Sequence, residues 1–200
     1  MNELIEHLKQ AGVLRTKAIE KAFRLIDRAD FVSMEYKDDP YGDSPLPIGY
    51  GQTISQPHTV VFMLELLAPV GGERVLDVGS GSGWTTALLA QIVGDRGEVF
   101  GIETIPELVL FGSENLVKYV FAQARIVQAG KEIGLPDEGP FDKILVGAAA
   151  ESIPQKLVQQ LRIGGVMVIP VQSAICKITR VSKEKTDVER HEGFALVPLV

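Results

Sequence analysis

The sequence contains a single cysteine, Cys176, so no disulfide can form within the chain. That fits a reducing compartment. No apolar run approaches the roughly 18 residues of a membrane span. The opening residues, MNELIEHLKQ, mix charges with Leu4, Ile5 and Leu8 and lack the apolar core of a secretory signal. A cytoplasmic location is the expectation. Basic residues are in deficit, with 20 Lys and Arg against 26 Asp and Glu and a net charge of -6. Such a chain lacks the overall electrostatic footprint of a nucleic-acid binder. Neither nucleic acid nor membrane is expected as a partner. The histidines His7, His58 and His191 are scattered without metal-ligand spacing, so no metal is expected. What remains is an ordinary globular mix, 46% hydrophobic and 23% charged over 200 residues. That is the size of one domain, and it excludes a disordered chain.

Helical spacing opens the chain. Leu4, Ile5 and Leu8 share one face, and Ile19, Ala22, Phe23 and Ile26 another, with Thr16 placed to cap the second helix. Periodicity then stops over residues 37–57, which hold Pro40, Pro45, Pro47, Pro57, Gly42, Gly49 and Gly51. Tyr41, Leu46, Ile48 and Tyr50 give that loop apolar content, which favours a functional segment over a linker.

Strand and helix alternate from there. Val60–Leu67, Thr85–Val93, Glu107–Tyr119 and Pro154–Leu161 read as helices. Arg74–Val78, Glu98–Ile102, Ala124–Val127, Phe141–Val146 and Val166–Val171 read as strands. The alternation predicts an α/β fold with a parallel sheet and crossover helices. Ala174–Val181 and Phe194–Leu199 read as two more strands joined by the charged turn SKEKTDVER, an antiparallel hairpin at one edge. The expectation is a Rossmann-like, mostly parallel sheet of about seven strands with helices on both faces and an N-terminal helical extension. Residues 1–56 would form the extension and loop, and residues 57–200 the core.

One turn carries chemistry. VLDVGSGSGW, Val75 to Trp84, runs from a buried strand through Gly79, Gly81 and Gly83 into a helix. Glycine lets a ligand approach the backbone closely, and the next helix offers its first amides. A dinucleotide fingerprint G-x-G-x-x-G counted from Gly79 would need glycine where Trp84 stands, which disfavours a nicotinamide oxidoreductase. With Asp77 before the glycines and Glu103 ending the next strand, the pattern resembles class I S-adenosylmethionine-dependent methyltransferases. There the second-strand acid holds the ribose hydroxyls. A ligand-free turn, and a Glu103 that merely caps a helix before Pro106, are the plainer readings.

LPIGYGQTISQPHTVVFMLELL, Leu46 to Leu67, resembles the signature segment of protein-L-isoaspartate O-methyltransferases. The stretch from Asp27 to Phe31 with Arg28, FDKILVGAAAESIP from Phe141, QLRIGGVMVIPV from Gln160 and VPL at Val197 resemble further segments in the same order. The resemblance implies S-adenosyl-L-methionine as cofactor, held by Gln52, Thr53, Ile54, Ser55, Asp77, Gly79, Ser80, Gly81, Glu103, Thr104, Gly130 and Lys131. It implies Ser55 as the residue beside the transferable methyl, and Thr53, Ser55 and His58 as substrate contacts. The implied substrates are proteins or peptides bearing isoaspartyl residues. The plainer role for Ser55 is to cap the helix that begins near Pro57. The plainer role for His58 is a helix-face histidine, and for Cys176 a small core residue.

Two segments depart from the family. Its Gly-Asp-Gly after the third strand, whose Asp and following Gly hold adenine, is here Ala129-Gly130-Lys131, with Glu132 next. Its basic-then-aromatic pair in the last strand is here Ala195-Leu196. These departures keep two alternatives open: a carboxyl methyltransferase acting on another peptide carboxylate, and a non-catalytic binding protein of the same fold.

Overall fold

The computed structural model describes residues 1–199, and Val200, the last residue of the expected core, lies outside the described residues. Helices α1 (Asn2–Gln10) and α2 (Lys17–Leu25) bury Leu4, Ile5 and Leu8 and Ile19, Ala22 and Phe23, the faces that their spacing predicts. Thr16 occupies the N-cap of α2, but its side chain does not cap that helix. Helix α3 (Pro57–Leu67) supplies the acceptor instead. Oε1 of its Glu65 accepts from the amides of Arg15 (2.8 Å) and Thr16 (2.7 Å), and Oε2 accepts from the Thr16 hydroxyl (2.8 Å).

The segment expected as a loop contains a small hairpin. Strand β1 (Leu46–Gly49) pairs antiparallel with β2 (Gln52–Ile54). The main sheet follows: β3 (Arg74–Val78), β4 (Glu98–Glu103), β5 (Ala124–Gln128), β6 (Phe141–Val146), β7 (Leu161–Val171), β8 (Ala174–Arg180) and β9 (Thr186–Glu192). Their spatial order is β5-β4-β3-β6-β7-β8-β9. The pairs from β5 to β7 are parallel, and β7–β8 and β8–β9 are antiparallel. The chain builds outward from β3 to β5, then crosses back to β6. The direction of building therefore reverses between β3 and β6, and a crevice opens there at the carboxyl ends of the strands.

Side chains alternate across the strands. Val75, Val99, Leu145, Val168 and Ile175 join one cluster with α1, α2, α3 and α4 (Trp84–Val93). Leu76, Val78, Phe100, Ile102, Ile144, Val146 and Met167 join the other, under Leu157 and Val158 of the short α6 (Gln155–Gln160). Between β5 and β6 stands only a 3-10 turn, Pro136–Glu138. The helical cover is therefore unequal. No helix among the described residues is long and apolar enough to cross a membrane.

The edge hairpin exists, but its second strand is not Phe194–Leu199. That strand is Thr186–Glu192, most of the stretch expected to be the turn. Charged side chains suit an exposed edge, where they discourage further pairing. Residues 194–199 instead fold back across the carboxyl ends of the sheet. Ala149 donates its amide to the Val197 carbonyl (2.7 Å), and the Leu199 amide donates to the Ala149 carbonyl (2.8 Å).

Candidate active site

At that crevice lies a cavity of about 500 Å³. Its floor is the glycine turn, Gly79 and Gly81, with Gly147 and Ala148 after β6. Glu103 and Thr104 wall it at the tip of β4, and residues 129–134 after β5. Ile48, Gln52 and Thr53 of the small hairpin close one side, and Val197, Pro198 and Leu199 another.

The turn needs its glycines because α5 (Pro106–Val117) packs against it without intervening side chains. A Cβ on Gly83 would stand 2.9 Å from the Gly112 carbonyl oxygen, and one on Gly112 would stand 2.8 Å from that of Gly81. Backbone contact on both sides fixes the turn below the cavity.

Glu103 is nearly buried, 7% exposed, and faces this turn. Its Oε1 accepts from the amides of Thr104 (2.7 Å) and Ile105 (3.0 Å) and from the Thr104 hydroxyl (3.2 Å). Its Oε2 accepts, among the described residues, from the Gly81 amide alone (3.0 Å). A carboxylate oxygen offers about two acceptor sites, so Oε2 has one to spare. Glu103 thus partly plays its plainer role at the approach to α5 and still presents a free lone pair beside the cavity.

Asp77 lies beneath the turn rather than on the cavity wall. Its Oδ2 accepts from the hydroxyls of Thr85 and Thr86, each at 2.7 Å, which ties the first turn of α4 to β3. Its Oδ1 is buried without a partner among the described residues, as is the Ser80 hydroxyl. Burial pushes the Asp77 carboxyl up to about 6; the two threonine hydroxyls oppose that rise and nearby Glu103 adds to it.

Of the residues singled out in the sequence, Gln52, Thr53, Gly79, Gly81, Glu103, Thr104, Gly130 and Lys131 line the cavity. Ile54, Ser55, His58, Asp77 and Ser80 do not. Ile54 is a buried core residue. Ser55 does not cap α3. The helix's free amide at His58 donates to Oδ1 of Asp43 (2.8 Å), and the Ser55 hydroxyl makes no hydrogen bond among the described residues. That hydroxyl is left available at the end of β2, half-buried.

Arg28 holds this region in place. The side chain is fully buried. Nη1 donates to the carbonyls of Pro40 (2.6 Å) and Gly42 (3.1 Å), and Nη2 to those of Ser44 (2.9 Å) and Ser55 (3.2 Å). Its guanidinium stands 5.3 Å from the centre of the Trp84 ring. Burial lowers its pKa to about 10, with Asp43 and Asp39 opposing. The sequence marked Arg28 without its role, because backbone acceptors carry no residue signature. Glu132, the residue able to replace the missing adenine acceptor, is on the wall; Ala148 and the folded-back Val197–Leu199 were unforeseen as wall residues. The quoted motifs at Phe141 and Val197 were the available signal.

The donor set fits S-adenosylmethionine. A spare carboxylate acceptor at the tip of β4 suits a ribose hydroxyl, and side-chain-free backbone suits close approach of the rest. Glu103 and Glu132 against Lys131 leave the wall with one excess negative charge, matching a cationic sulfonium ligand. Fold and site together define a Rossmann-like S-adenosylmethionine-dependent methyltransferase.

Within that class the chain belongs to the protein-L-isoaspartate(D-aspartate) O-methyltransferase family, whose model matches residues 1–200. It is 41% identical over 202 residues to the protein-L-isoaspartate O-methyltransferase of Thermococcus onnurineus, covering 98% of this chain and 91% of that one. It is 43% identical over 211 residues to the enzyme of that name from Triticum aestivum, covering 99% and 90%. A Plasmodium falciparum structure described as a protein-L-isoaspartate O-methyltransferase, in complex with S-adenosyl-L-homocysteine, superposes with a TM-score of 0.88. It shares 28% identity, covering 99% of this chain and 97% of that one.

Proposed function

We propose that the protein transfers a methyl group from S-adenosylmethionine to the free α-carboxylate of L-isoaspartyl residues in damaged proteins and peptides. The observation that carries this reading is the juxtaposition in one cavity of the glycine turn and Glu103 with the Gln52–Thr53 strand, in a chain of this family. The acceptor carboxylate is ionised at neutral pH, since its pKa is about 3.5, so no strong general base is required. When bound, held by Glu103 and the glycine turn, the cofactor would supply an electrophilic sulfonium methyl to an ionised carboxylate oxygen, the carbon–oxygen bond forming as the carbon–sulfur bond broke, so that the products would be a methyl ester and a neutral thioether.

The residues have positional tasks. Glu103 takes a ribose hydroxyl on Oε2, with Gly79, Ser80, Gly81 and Thr104 shaping that end. Asp77 supports the turn from below. Gln52, Thr53 and Ile54 form the hairpin wall, and Ser55 donates its hydroxyl to the substrate carboxylate. His58, the second residue of α3, contacts the substrate. Residues 130–132 face the adenine, with Glu132 as the acceptor that Gly130 lacks. Alignment and exclusion of water then carry the rate. The lone buried Cys176 and the acidic composition support a cytoplasmic protein that does not bind nucleic acid.

The test is transfer of labelled methyl to a synthetic isoaspartyl peptide. A base-labile methyl ester on that peptide is expected. Cofactor binding with no transfer to any isoaspartyl peptide would refute the substrate assignment.

A further inference from the structure

The tip of the β1–β2 hairpin is strained in a way that the fold does not require. Gly49 pairs with Gln52, so the connection is two residues, Tyr50 and Gly51. Their φ angles are +55° and +72°, the positive pair of a type I′ turn. Such turns strongly favour Asn-Gly, because asparagine tolerates the left-handed region and a bulky aromatic residue does not. Three other non-glycine residues share a positive φ, Ala68, Val120 and Gln172; Tyr50 is the one of the four whose near neighbours in the chain, Ile48 and Gln52, line the cavity, although Tyr50 itself does not. Tyr50 stands between Ile48 and Gln52, both on the cavity wall. Tyr50 is 59% exposed and makes no side-chain hydrogen bond among the described residues.

We infer that Tyr50 is a specificity residue that packs against the side chain of a substrate residue flanking the isoaspartyl group, with a preference for apolar flanks. Residues 44–57 carry no charged side chain, and Pro45 and Pro47 are exposed beside the tip. The hairpin that carries the ring is therefore uncharged, with two exposed prolines near its tip, in a chain whose net charge is -6. Strain at an exposed residue beside a ligand cavity is retained where the residue itself is used. The inference rests on the substrate class proposed above.

Tyr50→Asn separates use from structure, because asparagine suits the turn better than tyrosine. The melting temperature should rise by about 1–4 °C as left-handed strain is relieved. The KM for an isoaspartyl peptide with leucine beside the damaged residue should rise about three- to tenfold, the worth of one aromatic contact. The KM for the glycine-flanked peptide should stay within about twofold, and the dissociation constant of S-adenosylhomocysteine should not change. Tyr50→Phe keeps the ring and should keep the parent KM. A lower melting temperature for Tyr50→Asn, equal effects on both peptides, or no effect on either would overturn the inference. If the parent methylates neither peptide while still binding S-adenosylhomocysteine, the proposed substrate class fails first, and the inference with it.

Discussion

Glu103 ties the start of α5 and the glycine turn together and still keeps acceptor capacity beside the cavity. Three donors saturate Oε1, and among the described residues only the Gly81 amide engages Oε2. Glu103→Ala should weaken S-adenosylhomocysteine binding about tenfold or more, the loss of a charge-assisted hydrogen bond in a mostly dry site. Calorimetry checks this, and unchanged affinity would remove Glu103 from the ribose site. Asp77 makes a different prediction, set by pH. Its folded pKa, about 6, lies above the ordinary aspartate value of 3.8, chiefly through burial. Below the lower value both states are protonated and the group costs nothing. As pH rises through the window the unfolded chain ionises first, so this contribution to stability is lost by about pH 6–7. Asp77→Asn removes that dependence. Its melting temperature relative to the parent should therefore climb between pH 4 and pH 7. A difference that stays flat, or falls, contradicts the buried, high-pKa carboxyl. Glu103 was legible in the sequence because an acid at a strand end after a glycine turn is a pattern. The task of Arg28 was not, since its four acceptors are carbonyls that any residue could supply.

Elements were read well where hydrophobic period dominates and poorly where exposure dominates. The helices at Lys17 and Pro57 and the strands at Arg74 and Phe141 stand where their apolar spacing placed them. Strand β9 was hidden because Thr186–Glu192 is mostly exposed and strongly charged, a composition that an edge strand shares with a turn. The apolar residues 194–199 looked like a strand because they are partly buried, but they are held by Ala149 and by stacking of Phe194 on Phe62, 4.9 Å between ring centres. The β1–β2 hairpin was masked by its prolines. The junction between α2 and α3 offers a test at this scale. Glu65 alone satisfies two amides and a hydroxyl at the start of α2. Glu65→Ala should cost about 1–2 kcal/mol, the range of a lost helix cap. Thermal unfolding should show it as a lower melting temperature, and cofactor affinity should be unaffected because Glu65 is not on the cavity wall. Loss of cofactor binding in a folded variant would show that α2 and α3 couple to the site.

At the scale of the whole molecule, strand order accounts for the position of the site. Alternating strands and helices, legible in the sequence, imply a parallel sheet, and a reversal of building direction opens a crevice at the strand tips. The resemblance carried Gln52 and Thr53 of the hairpin to that crevice, but the return of Val197–Leu199 to it could not be read, because such contacts depend on tertiary packing and not on local period. Their convergence walls the crevice on two further sides. The central claim is that this cavity selects an isoaspartyl carboxylate. Its most direct test is labelled methyl transfer to two peptides of identical sequence, one with isoaspartate and one with normal aspartate at the same position. Efficient transfer to the isoaspartyl peptide and essentially none to its partner is the predicted result; equal transfer to both, or transfer to the aspartyl peptide alone, would contradict it.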